Sequence, residues 1–312
     1  MRGLGLPELF ADLLGPFVVG FALLTQLGDV WLLSLLVGCC YWLGSHTPWV
    51  DIDRERAAIV VGLLLLYLVL IWTLKPLFGL PRPPGAAVPP RGDLIPPALA
   101  GVYEWLSTSS SYGFPSGHAL GTTLVYGGLA WAIRTGSRTR RIGVAAGLVL
   151  AVSLSRVALG LHYLPDVLAG MALGVATLAV ALRLGTPGRV FGLGAVVGVV
   201  GALLIGPVGT ILGLSIAGPS IKLLASAGVA VGAALAWRGA GDELTVVPSR
   251  REARATLLVG GVVVAILGAG GLVARSLPPA AALLGLVGGV AIVAMPLLGE
   301  RVAKKNSGSV GR

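Results

Sequence analysis

The sequence predicts an all-α, multi-pass membrane protein, and three observations carry that prediction. Hydrophobic residues make up 55% of the 312 and charged residues only 12%, with a mean hydropathy of +0.91. A soluble domain carries roughly 25% charge, so too little is present to coat a water-facing surface. The apolar residues come in long runs rather than in alternation, which favours helices over a transmembrane barrel. Lys and Arg sit in short segments between those runs. The composition excludes a soluble enzyme, a disordered tail protein and a secreted disulfide scaffold. The net charge of +10 is then a positive-inside bias rather than a nucleic-acid footprint. Cys39 and Cys40 are adjacent inside an apolar run and read as packing residues, not as zinc ligands.

Each span needs about 20 apolar residues. The first runs from about Leu9 to Thr25. It reads as a retained helix rather than a signal peptide, because no small-residue cleavage site precedes Thr25-Gln26-Leu27-Gly28-Asp29. The second is Val30 to Gly44, and the third, Ala57 to Leu74, has no charge and is closed by Lys75-Pro76. The Pro-rich stretch Pro76 to Pro115 cannot span. Within it, Pro96 to Ser107 carries Tyr103, Glu104 and Trp105, an interfacial segment able to cover a head group. Ser116 to Ile133, Ile142 to Ser155 and about Tyr163 to Leu182 follow. Val190 to Ile221 is 32 uncharged residues, too long for one helix, so a turn at Gly213 to Pro219 divides it into spans at 190–211 and 220–237. Ala255 to Ala274 and Ser276 to Gly299 complete ten. The expected organisation is a six-span core over 1–187, a four-span extension over 188–302 and a tail over 303–312.

With the N-terminus inside, all but Lys75, Arg82, Arg91, Arg156, Lys222 and Arg275 of the 23 basic residues fall on the cytoplasmic side. Both termini are therefore expected in the cytoplasm of a cell-membrane protein. Three of the six cations kept outside form a pattern with two histidines: Lys75-x6-Arg82-Pro83, Pro115-Ser116-Gly117-His118, and Ser155-Arg156-x5-His162-x3-Asp166. Each piece falls at the outer end of a span, so four helix ends can meet at one depth. Arg82 and Arg156 can clamp phosphate oxygens in bidentate fashion, with Lys75 as a point charge. Ser116-Gly117 opens a helix whose free N–H groups favour an anion, and Gly117 keeps no side chain in its way. Asp166, four residues after His162, can fix its tautomer. His162 is then placed to attack phosphorus and His118 to protonate the leaving alkoxide. A lone outer Arg is more often a snorkelling anchor; the joint pattern outweighs that reading. The fifth span, 14 uncharged residues, rises only about 21 Å, which would hold Arg156 at or below the interface.

These residues resemble the three-part signature of the type 2 phosphatidic acid phosphatase superfamily, over about residues 1–187. The resemblance implies a metal-independent, cofactor-free enzyme with His162 forming a phosphohistidine, Asp166 orienting it and His118 as acid. It further implies that Lys75, Arg82, Ser116, Gly117 and Arg156 bind the phosphate. The expected activity is hydrolysis of a lipid phosphate or diphosphate. Phosphoryl transfer is the rival within the enzyme class, and a transport or lipid-binding scaffold with an unused site is the rival outside it. An isoprenoid diphosphate is favoured, with Arg91 offered to its second phosphate, and a phosphatidate- or glycerophosphate-type monoester is the alternative. Asp29 is a further candidate to reach the site. The four extra spans lack a mid-membrane charge of the kind transport needs. Their small residues, Ala225-Ser226-Ala227-Gly228 and Gly268-Ala269-Gly270-Gly271, point to packing or to a homo-oligomer surface. His46 is expected at the inner interface.

Overall fold

A computed structural model describes residues 15–46, 50–213, 218–246 and 248–308. Among them every regular element is a helix, and seven helices are long and apolar enough to cross a membrane. The helices are α1 (Val18–Leu24), α2 (Val30–Leu43), α3 (Arg54–Phe78), α4 (Pro97–Ser107), α5 (Gly117–Ala132) and α6 (Arg138–Ala158). Then come α7 (Leu164–Leu184), α8 (Pro187–Ile205), α9 (Pro207–Ile211), α10 (Ile221–Leu244), α11 (Arg250–Val273) and α12 (Pro278–Gly308).

The middle of the bundle is α3. Its sequence is apolar on every side, and a helix hydrophobic all round belongs in an interior. Four partners surround it, α2, α5, α8 and α10. Asp53 caps its start, Oδ1 accepting from the Arg56 N–H at 2.7 Å. Gly79, with φ +59°, ends it in the left-handed conformation that glycine adopts freely. Lys75 is thereby delivered to one end of the bundle and Arg54 to the other.

The first two spans differ from expectation. Instead of two antiparallel crossings, Gly15–Gly28 and Val30–Leu43 form one path bent by 42°. Only Asp29 leaves helical geometry between them, with φ −77° and ψ 148°, too little chain to reverse direction. The first half, α1, therefore packs Val18 and Ala22 against Ala86, Tyr103, Leu159 and Leu161 beside the site. Residues 1–14, and so the start of the expected first span, lie outside the described residues. The spans expected to be short are also exchanged. Ser137 caps α6 early, its Oγ accepting from the Arg140 N–H at 3.2 Å. Helix α6 consequently runs 21 residues, about 31 Å. It is α5, with 16 residues or about 24 Å, that falls short of a ~30 Å core.

The extension is locked to the core at the end opposite the site. Tyr41 Oη donates to the Val293 carbonyl at 2.7 Å, Trp42 Nε1 to Ile292 at 3.0 Å and Arg54 Nη1 to Val246 at 2.9 Å. His46 joins the same seam, its Nε2 lying 2.7 Å from the Pro248 carbonyl, rather than facing only the interface. Small residues do pack helices here, within the chain. Gly228 and Gly232 on α10 face Gly285 and Gly289 on α12, and a Cβ on Gly289 would sit 2.8 Å from the Ala233 nitrogen. Gly289→Leu is expected to prise these helices apart at a cost of about 3 kcal/mol, the upper end for overpacking. Thermal unfolding of the detergent-solubilised protein reads it as a lowered Tm. Gly268 and Gly271, by contrast, meet nothing.

Candidate active site

Four chain segments converge at one end of the bundle. The end of α3 brings Lys75, the following loop Arg82, the start of α5 Ser116, Gly117 and His118, and the stretch from the end of α6 to the start of α7 Arg156, His162 and Asp166. All eight sequence-expected residues meet here. Lys75 Nζ donates to the Tyr112 carbonyl at 2.7 Å. Arg82 donates from Nε to the Ser111 carbonyl at 2.7 Å, from Nη1 to the Leu161 carbonyl at 2.6 Å and from Nη2 to Ser111 Oγ at 3.2 Å.

Two N–H groups of the connection after α6 share one acceptor. The Arg156 carbonyl takes the N–H of Leu161 at 3.0 Å and of His162 at 3.1 Å, and Gly160 supplies a positive φ of 66° for the turn. His162 is thereby turned inward and is 1% exposed. Its Nδ1 lies 3.5 Å from Asp166 Oδ2, an electrostatic contact rather than an aligned hydrogen bond. Its Nε2 lies 3.0 Å from Arg82 Nη1. A guanidinium can only donate, so Nε2 is the acceptor and the proton sits on Nδ1, toward Asp166. Asp166 is itself held, Oδ2 accepting from the Tyr163 N–H at 3.1 Å. Burial first, then the cations Arg82, Arg156 and Lys75 and neighbouring His118, hold the His162 imidazole well below its usual range. Burial also lowers Arg82, to about 10, against the attraction of Asp166.

Helix α5 begins directly over this centre. Ser116 caps it, Oγ accepting from the Ala119 N–H at 3.5 Å, and the Ser116 N–H donates to the Asp166 carbonyl at 2.9 Å. Gly170 lets α7 approach, since a Cβ there would lie 2.6 Å from the Ser116 carbonyl. Three buried polar atoms around the centre, His118 Nε2, Arg156 Nε and His162 Nδ1, have no hydrogen-bond partner. Such groups cost free energy unless a ligand satisfies them. A cluster of cations with spare donors at a helix start can hold an oxyanion.

Two features escape sequence reading. Thr25, fully buried in the bent first path, accepts from Arg156 Nη1 through Oγ1 at 2.9 Å. Gly28, one turn on, lies under His118: a Cβ there would come within 3.0 Å of the imidazole Cδ2 and 2.6 Å of Val152 Cγ1. A threonine and a glycine at the end of an apolar run are the only signal, and it is shared with any span end. Asp29, beside them, acts on Arg156 through space. Next to Arg82 lies a cavity of ≈ 680 Å³ lined by Pro81, Pro83 and Ser109 to Tyr112. Arg91 is exposed and is not among its lining residues. Over the same face, α4 turns Tyr103 and Ser107 inward and leaves Leu99, Val102 and Trp105 more than half exposed, an amphipathic surface suited to an interface. Among the described residues no group of three or more His, Cys, Asp or Glu side chains could hold a metal.

Residues 56–187 match the model of the PAP2 superfamily. Over 72 residues the chain is 35% identical to phosphatidylglycerophosphatase B of Bacillus subtilis (strain 168). That alignment covers 21% of this chain and 36% of the relative, so the chain spans little more than a third of that protein's length. No solved structure matches. Thr25 and Gly28 lie outside the matched segment.

Proposed function

We propose that this chain, whose residues 56–187 match the PAP2 superfamily model, is a metal-independent membrane lipid phosphatase or diphosphatase. The observation that carries the reading is the His162 geometry: Nε2 keeps its lone pair unprotonated and accepts from Arg82, Nδ1–H faces Asp166, and Arg156 is a further cation acting on the ring. In the first step Nε2 attacks phosphorus while Arg82 shifts its donors to the phosphate oxygens. The bond to the leaving oxygen breaks, and His118 supplies the proton that oxygen needs. In the second step water attacks the phosphohistidine, His118 takes up its proton, and the N–P bond breaks to release phosphate. Lys75, Arg156 and the Ser116-Gly117 N–H groups stabilise the charge that develops on the oxygens.

The catalytic end is assigned to the extracytoplasmic face of the cell membrane, because the basic residues of the interhelical segments concentrate at the other end. Short α5 supports a centre drawn to head-group depth, where a phosphate reaches it while the lipid tail stays in the bilayer. We favour an isoprenoid diphosphate. The cavity beside Arg82 leaves room for a second phosphate, and the Ser109 to Ser111 hydroxyls replace Arg91 as its partners. The name of the Bacillus relative favours a second reading, a glycerophosphate-type lipid monoester. Comparing kcat/KM on a polyprenyl diphosphate and on phosphatidylglycerophosphate in one detergent separates them, and a preference for the monoester would overturn the first. Turnover should survive EDTA; its loss, restored by a divalent cation, would remove the metal-independent scheme.

Thr25 gives a further expected result. Thr25→Val deletes the acceptor that orients Arg156, so KM should rise roughly tenfold to a hundredfold, the worth of one hydrogen bond to a charged group. Thr25→Ser should keep most of the wild-type KM. Equal losses in both variants would mean that Thr25 only packs.

A further inference from the structure

A further cavity lies away from the catalytic centre. It is a groove of ≈ 780 Å³ at the opposite, Arg-rich end, bounded by α5, α6 and α7. Helix α5 packs on both neighbours while α6 and α7 barely meet, so the groove opens sideways between them. Its walls are apolar, and Ile142, Leu150 and Val175 on the rim are at least half exposed. On α6 it runs from Arg138 to Leu150, about 18 Å at 1.5 Å per residue. That matches one leaflet, half of a ~30 Å core. At its upper end Met171 packs on Ala119, Val157 and Val167, which stand between the groove and His118, Arg156 and Asp166.

The mouth is cationic. Arg56 lies 5.2 Å over the Trp131 ring and only 3.6 Å from Asp53, which Arg134 also engages. Arg141 is held by its donations to the carbonyls of Ala130 (Nε, 3.0 Å), Arg134 (Nη1, 3.1 Å) and Gly136 (Nη1, 2.8 Å), which leaves Nη2 to a ligand. Arg138 lines the same mouth and is exposed. One carboxylate, shared between Arg56 and Arg134, does not neutralise this set.

We propose that this groove holds one anionic phospholipid of the leaflet at the Arg-rich face, with its phosphate at Arg56, Arg138 and Arg141 and one acyl chain along α6. The charge at the mouth selects an anionic head group, and the leaflet-deep apolar walls select a diacyl lipid over a free phosphate. Because its lining includes none of the catalytic-centre residues and the Ala119, Val157 and Val167 cluster packs on Met171 at its upper end, this lipid is a bound component and not the substrate. The test uses the full-length protein in detergent, titrated with phosphatidylglycerol or with phosphatidylcholine of the same chains, while Tm is followed. Phosphatidylglycerol should raise Tm at a concentration roughly tenfold lower than phosphatidylcholine, the worth of a charge-assisted contact. Arg56→Gln with Arg138→Gln should abolish that preference, and Arg82→Gln, at the other end, should keep it. Leu150→Trp, which fills the groove without touching its charge, should weaken both lipids and guards against a misfolded double variant. Equal effects of the two lipids, or a preference that survives the double substitution, would overturn the proposal.

Discussion

His162→Ala is expected to lower kcat by at least about 10⁴-fold, the scale seen when a nucleophile is removed, and to abolish any acid-labile phosphoenzyme. In the proposed scheme no other group takes its place. His118 enters from a different helix with its Nε2 unpaired, and Lys75 is committed to the Tyr112 carbonyl. The pH profile supplies an independent check. Protonation would remove the Nε2 lone pair, and burial together with the surrounding cations favours the neutral ring. The acid limb of kcat/KM, which reports the free enzyme, should therefore not break near 6.5 but well below it. An acid limb at the ordinary histidine value that disappears in His162→Ala would contradict the neutral nucleophile. Retained turnover in His162→Ala would remove the mechanism outright.

The centre was legible in the sequence because its chemistry is carried by residues that membrane spans otherwise avoid. Lys75, Arg82, His118, Arg156, His162 and Asp166 stand out against apolar runs, and alternation of the spans is enough to bring them to one face. The bend at Asp29 was not legible. A charged residue flanked by glycine between two apolar runs signals an interruption, but the same pattern serves a hairpin and a bent single path. What decides between them is long-range packing, of Gly28 on Val152 and of Val18 and Ala22 on Leu159 and Leu161, which no local pattern encodes. Span length failed for a related reason. The polar turn Arg138-Thr139-Arg140-Arg141 reads as a loop by hydropathy, yet Ser137 caps it and it continues α6. Small residues in the extension announced close packing correctly. Tertiary packing divides them into Gly228, Gly232, Gly285 and Gly289, set against the facing helix, and Gly268 and Gly271, which meet nothing.

Removing the acid should separate the two halves of the proposed reaction. His118→Ala is expected to slow hydrolysis of a lipid phosphate by roughly 10²–10⁴-fold, the range for a general acid–base group, because an alkoxide is a poor leaving group without a proton. A nitrophenyl phosphate leaves as a stable phenolate and needs no proton, so phosphorylation of His162 by that substrate should be much less affected. Burst kinetics distinguish the outcomes. With the aryl substrate the variant should release one equivalent of phenolate rapidly and then turn over slowly, since His118 is also the group that takes the proton from attacking water. Thr122, whose Oγ1 donates to the His118 carbonyl at 2.7 Å, and Gly28, packed beneath the ring, fix where that proton is delivered. Equal losses on alkyl and aryl substrates, with no burst, would reassign His118 from proton transfer to phosphate binding, beside Arg156.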